Sequence, residues 1–231
     1  MKIFVSELIS NEVAKKTNIP VLPLKSFELL DSPVSTHADM LIFVIDKKIF
    51  CYEDYYLNNK KIFDDAESEG YEIERLNINC EKNYPKDVSL NILKIGKTLF
   101  ANLKHASKEV LKYAIENGYD VVNVKQGYSA CSTLVIDDNT AITADKGIYE
   151  AIKSVGKDAT LISPGGVGIE KYDYGFIGGA GFVLDGAVWF FGDIQKHADF
   201  GKISQKIDEL KMKIFTIRDG YVFDFGGAKV I

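Results

Sequence analysis

The sequence predicts one α/β domain over residues 1–231, a closed five-fold propeller of ββαβ units. Three observations carry this reading. A strand–turn–strand–helix–strand pattern occurs four times, with a turn-to-turn spacing of roughly 40 to 50 residues. A fifth copy is divided between the two termini. A two-strand hairpin precedes each helix, whereas a doubly wound parallel sheet needs a helix between successive strands.

Taken in order, the chain opens inside a unit, with a second strand "MKIFV", a helix "ELISNEVAKKT" and a third strand "PVLPL". The first whole unit is "MLIFVIDKKIFCYEDYYLNNKKIFDDAESEGYEIERLN". The next, "ILKIGKTLFANLKHASKEVLKYAIENGYDVVNVK", is the plainest. It has a turn near Gly96, a second strand from Thr98 to Ala101, and a helix with apolar Val110, Leu111, Ala114 and Ile115. Gly118 follows as the helix stop, then a strand "DVVNV". The pattern returns in "TLVIDDNTAITADKGIYEAIKSVGKDATLIS", turning at Asp137–Asn139. It returns once more in "GFVLDGAVWFFGDIQKHADFGKISQKIDELKMKIFTIR", turning at Asp185-Gly186. The chain ends on an orphan first strand, "GGAKVI", and pairing the two ends completes the fifth unit. A ring closed this way leaves no free sheet edge, where an open solenoid needs polar capping repeats.

Composition narrows the function classes. The chain is 46% hydrophobic and 26% charged, with a net charge of -5 and no basic stripe. That argues against nucleic acid, whose phosphates demand clustered Lys and Arg. Three cysteines without a CxxC, and a start that lacks a signal-peptide layout, predict a soluble protein of the reducing cytoplasm. The most apolar stretch, "GAGFVLDGAVWFFG", is broken by Asp185 and glycines, so no membrane span is expected. No cluster has metal-ligand spacing and no glycine loop has a phosphate-binding pattern, so neither metal nor cofactor is expected. The glycine-rich "SPGGVGIEKYDYGFIGG" reads as a connection placed to cover the pore, and nothing in the sequence requires its Tyr172 and Tyr174 to meet a ligand.

A five-fold ring brings the starts of its first strands together, and two of these starts carry chemistry. "THADMLIFVID" supplies His37 and Asp39, and "YSACSTLVIDD" supplies Cys131 with Ser132 and Thr133. Ends of second strands add Glu7, Asp145 and Asp193. Each has an ordinary structural reading too. A lone cysteine is commonly a small buried hydrophobe, His37 and Asp39 suit a polar turn, and Asp193 suits a helix cap. Cys51 and Cys80 read as bystanders. His197 and Asp199 read as the solvated face of a helix.

At these residues the sequence resembles the pentein, or guanidine-modifying enzyme, superfamily, as a circularly permuted branch. "HADMLIFVID" looks like the His-x-Asp segment of arginine deiminases and dimethylarginine hydrolases. "SACST" looks like their nucleophile segment, and "AVWFFGD" is similar to the aromatic strand ending in a substrate-binding Asp. The cyclic order of these segments agrees with the family's. One departure stands out. Where the family has Glu-Gly-Gly-Asp, this chain has Phe225-Gly226-Gly227-Ala228, with Asp224 one position out of register and turned, by strand alternation, to the opposite face.

The resemblance implies a cysteine-dependent reaction on a small guanidino or amidino substrate. Cys131 is then the nucleophile, His37 the acid and base, and Asp39 and Asp193 the guanidinium ligands. Hydrolase and amidinotransferase chemistry both remain open, since they differ only in whether water or an amine takes the second step. The missing acids keep a non-catalytic binding protein of the same fold, or a small-molecule sensor, as the alternative. The sequence is silent on oligomeric state.

Overall fold

Three of the four hairpin turns in this chain use a residue that tolerates a left-handed backbone: Asp46 (φ 51), Gly96 (φ 55) and the pair Asp185 and Gly186 (φ 48 and 70). The fourth, at Asp137–Asn139, has none and is held instead by the Asp137 carboxylate, which accepts from the Asn139 amide at 2.8 Å. The computed structural model describes residues 1–231. In it these turns tie the first two strands of successive units together.

The opening unit has β1 (Ile3–Ser6), α1 (Ser10–Thr17) and β2 (Val21–Leu24), with β1 and β2 parallel. The second begins with a short helix α2 (Ala38–Leu41), then β3 (Ile42–Ile45), β4 (Lys48–Tyr52), α3 (Glu53–Asn58), α4 (Lys60–Glu67) and β5 (Glu72–Leu76). The third has β6 (Leu93–Ile95), β7 (Thr98–Ala101), α5 (Lys108–Glu116) and β8 (Asp120–Asn123). The fourth has β9 (Thr133–Val135), β10 (Thr140–Thr143), α6 (Lys146–Ser154) and β11 (Asp158–Leu161). The fifth has β12 (Gly181–Leu184), β13 (Ala187–Phe190), α7 (Phe200–Glu209) and β14 (Lys213–Thr216), and β15 (Ala228–Val230) follows.

These make five three-stranded sheets of one design: the first strand antiparallel to the second, and the second parallel to the third across the helix. β15 completes the opening unit. It pairs antiparallel with β1 (Ile3 opposite Val230), and Lys2 and Ile231 exchange backbone hydrogen bonds of 2.8 and 2.9 Å. All five first strands line one axial channel of about 550 Å³. The five-fold α/β architecture expected from the repeat is therefore present.

The helices form for local reasons. Ser107 and Asp145 cap α5 and α6, accepting from the amides of Val110 (3.3 Å) and Ile148 (2.8 Å). Each helix turns one apolar face to its sheet: Ile148 and Ile152 on α6, and Ile203 and Ile207 on α7, are fully buried. Each such side chain contributes about 1.5–3 kcal/mol by leaving water. The helix of the second unit is two helices, divided at Asn59, whose side-chain amide takes the Tyr55 carbonyl at 2.9 Å and competes with the backbone ladder. No helix is long and apolar enough to cross a membrane.

Candidate active site

The starts of four first strands converge at one end of the channel. His37 and Asp39 precede β3, Asn91 precedes β6, Cys131 precedes β9 and Asp224 precedes β15. All five side chains are buried, none more than 3% exposed.

Two glycines let this happen. Gly226 (φ 78) lies so close to His37 that a Cβ there would stand 2.2 Å from the His37 Cβ. A Cβ at Gly179 would fall 1.8 Å from the Asp224 carboxylate. Asp39 then hangs from the Gly226 carbonyl through its own amide (3.2 Å), two residues after His37 at the start of α2.

Asp224 corrects the alternation argument. Its carboxylate is buried 3.6 Å from His37 Nδ1 and accepts from the amides of Phe176 (2.8 Å) and Gly226 (2.9 Å). The parity rule fails because residues 224–227 are not strand. Gly226 and Gly227 both have positive φ (78 and 64), and β15 starts only at Ala228.

Asp193 also departs from expectation. It caps a short 3-10 turn (Ile194–Lys196) by accepting from Gln195 N at 3.1 Å, its side chain is 34% exposed, and it pairs with Lys196 at 3.8 Å. It does not line the pocket at Cys131. Asp193 therefore takes the capping role that the sequence also allowed, and the carboxylate that lines the pocket at Cys131 is that of Asp224. His197 is likewise no solvated helix residue. It ends the 3-10 turn, is 4% exposed, and its Nε2 lies 3.1 Å from the Gly165 carbonyl.

Cys131 is held by Asn91, which sequence reasoning missed. The Asn91 Oδ1 accepts from the amides of Ala130 (2.8 Å) and Cys131 (3.2 Å), while its Nδ2 donates to Cys131 Sγ at 2.8 Å and to the Asp39 carbonyl at 3.1 Å. A signal was present: Asn91 stands two residues before β6, as Cys131 does before β9. Ser132 and Thr133 belong elsewhere. Thr133 Oγ1 donates to Thr143 Oγ1 (3.3 Å), and Ser132 lies in a separate cavity beside Asp145 and His197.

The charge pattern is unusual for a folded interior. Both oxygens of Asp39 and the Nδ1 of His37 are buried with no hydrogen-bond partner. Burial pushes the Asp39 carboxyl up to about 6, with His37 opposing the shift and Asp224 adding to it. Burial, then the charges of Asp39 and Asp224, push the Cys131 thiol well above its ordinary value. On the channel side Lys229 also acts on Asp39, and burial lowers its own pKa. No group of three or more His, Cys, Asp or Glu is arranged to hold a metal ion.

Above Cys131 lies a pocket of about 300 Å³, with His37, Cys131 and Asp224 at its floor. Residues 169–176 arch over it. Phe176 packs on Tyr128 with ring centroids 6.1 Å apart, Lys171 bonds Ser32, and the Tyr172 hydroxyl bonds Asp31 at 2.7 Å. Tyr172 and Tyr174 of this connection line the pocket at Cys131. Cys51 and Cys80 are buried elsewhere, their thiols pushed up by burial to about 12 and about 11.

Comparison with known proteins places the chain. A family model described as "Family of unknown function (DUF6873)" matches residues 4–228. The chain belongs to that family. No curated protein sequence matches the chain significantly. Among solved structures, the chain shares its fold with dimethylarginine dimethylaminohydrolase, crystallised as an adduct with S-methyl-L-thiocitrulline (TM-score 0.56, 11% identity, 93% of this chain and 91% of that one). It shares it with agmatine deiminase from C. jejuni (TM-score 0.56, 11% identity, 94% and 87%). An amidinotransferase of the saxitoxin pathway from Microseira wollei is similar too (TM-score 0.55, 11% identity, 90% and 74%). All are pentein enzymes, and at such identities the likeness is one of fold.

Proposed function

We propose that this protein carries out a cysteine-dependent reaction on a small guanidino or amidino compound, through a covalent thiouronium intermediate. The observation that carries the reading is the Asp39 carboxylate, buried with both oxygens unpartnered beside Cys131 and His37. A buried carboxylate without a partner costs several kcal/mol, and a planar cation with paired N–H donors removes that cost. The fold it shares with guanidine-modifying enzymes supports the same conclusion.

The chemistry follows from the charges. Burial, and then the charges of Asp39 and Asp224, hold the Cys131 thiol protonated; a guanidinium that reaches both carboxylates cancels those charges, so the substrate itself favours the thiolate. The Asn91 amide donates to the sulfur and orients it. Thiolate attacks the central carbon, His37 in its charged form protonates one nitrogen, and that nitrogen leaves as ammonia or an amine. The enzyme then carries a thiouronium on Cys131. In the hydrolytic course, water gives a proton to the now neutral His37 and adds to the carbon. The Cys131 thiolate then leaves, and the last proton passes to solvent. An amine in place of water gives amidino transfer. Asp224, which faces His37, orients the ring in both courses.

Residues 1–231 act in this reading as one unit, and three buried free thiols suit a reducing cytoplasm. The alternative of a non-catalytic binding protein is favoured by Phe225. It fills the place of an expected acid with a buried ring packed on Phe191 and Phe223, at centroid distances of 5.7 and 4.9 Å. Acid quench of the protein with a panel of guanidines and amidines tests between them. The enzymatic reading expects a mass gain on Cys131, equal to the transferred amidino unit, that is absent from Cys131→Ala. Binding with no mass gain from any compound would establish the alternative.

A further inference from the structure

The wall between Cys131 and solvent has one-sided hydrogen-bonding chemistry. Tyr128 points its hydroxyl at the buried carboxylate of Asp87, 2.6 Å away. Tyr172 points its hydroxyl at Asp31, 2.7 Å away. A carboxylate only accepts, so both phenolic protons are already committed and each phenol oxygen has only lone pairs left for the pocket. Burial and Asp87 hold the Tyr128 proton firmly in place, and Asp31 pushes the Tyr172 hydroxyl up to about 12. Near the mouth, Asp173 adds an exposed carboxylate to the same wall.

No lysine or arginine lines this pocket. The only basic residue on the arch, Lys171, has its ammonium on Ser32. A carboxylate brought into the pocket would lose water, find no cation and face Asp173 and Asp224, an arrangement that costs several kcal/mol. An ammonium would meet the Tyr128 oxygen, the Asp173 carboxylate and the faces of the aromatic rings.

We propose that the pocket selects a guanidine or amidine whose far end is an amine or other nitrogen cation and bears no carboxylate. The inference rests on the guanidine reading above and concerns only the tail. The geometry that carries it is the pair of tyrosines whose protons are tied to Asp87 and Asp31, on a wall closed by Asp173.

The test is protection of Cys131 from chloroacetamidine, followed by intact mass, with methylguanidine, agmatine and arginine as competitors. Agmatine is expected to protect at concentrations at least about tenfold below either of the others, the worth of one hydrogen bond to a charged group. Asp173→Asn and Tyr128→Phe are expected to raise the agmatine requirement more than that of methylguanidine. Arginine protecting as well as agmatine, or agmatine no better than methylguanidine, overturns the tail inference and leaves the guanidine site standing. Failure of all three to protect a thiol that is still alkylated overturns the guanidine reading, and the tail with it.

Discussion

At the scale of single residues, Asp39 is the group most out of place without a ligand. Its carboxyl is pushed up to about 6 in the folded protein, against about 3.9 in an unfolded chain. The folded state therefore binds the extra proton, and the stability this gives is full below about pH 4, falls as pH rises, and is gone above about pH 6. Asp39→Asn removes the charge. Its melting temperature is expected to exceed wild type by roughly 3–8 °C at pH 8, with the difference vanishing near pH 4. Melting curves across that range check it, and an offset independent of pH would mean that Asp39 is not the buried charge described. Asn91 was not legible at this scale, because an asparagine before an apolar run reads as a turn residue. Its equivalence to Cys131 in the repeat was the one signal of it, and it went unread.

At the scale of elements, the turn at 224–227 decides which carboxylate reaches His37. Two mutations separate backbone conformation from contact. Gly118→Ala, at φ 76 in open space, is expected to cost about 1 kcal/mol and leave Cys131 labelling by chloroacetamidine unchanged. Gly226→Ala, at φ 78 and against His37, is expected to cost several kcal/mol and slow labelling more than tenfold. Equal effects from both would show that His37 does not depend on this close approach. Strand alternation misplaced Asp224 because the rule assumes an extended backbone, and two left-handed glycines interrupt it. Asp193 was misplaced for a related reason. A residue at the end of a second strand serves the next turn as a cap, so Asp193→Ala is expected to cost about 1 kcal/mol of stability and leave labelling intact, as melting and mass measurements would show.

At the scale of the whole molecule, the repeat was legible because each unit restates the same apolar pattern and turn chemistry. Even the divided unit could be read from two partial copies. What could not be read was how the first strands end at the channel, since that depends on packing between units far apart in sequence. The reciprocal bonds of Lys2 and Ile231 put the termini side by side. A circular permutant joined there, with new ends between the exposed Glu81 and Lys82, is expected to fold and label as wild type. A permutant that loses its cooperative melting transition would contradict the ring.

The most direct test of the central claim compares two alkylating agents on Cys131 at neutral pH, one cationic (chloroacetamidine) and one neutral (iodoacetamide). A thiol held protonated by burial and by two nearby carboxylates, and released by a cation, predicts much faster single-site labelling by chloroacetamidine, slowed strongly in His37→Ala and Asp224→Asn and unchanged in Asp193→Ala. Equal rates for the two agents, or equal labelling of Cys51 and Cys80, would mean that no assembled guanidine site surrounds Cys131.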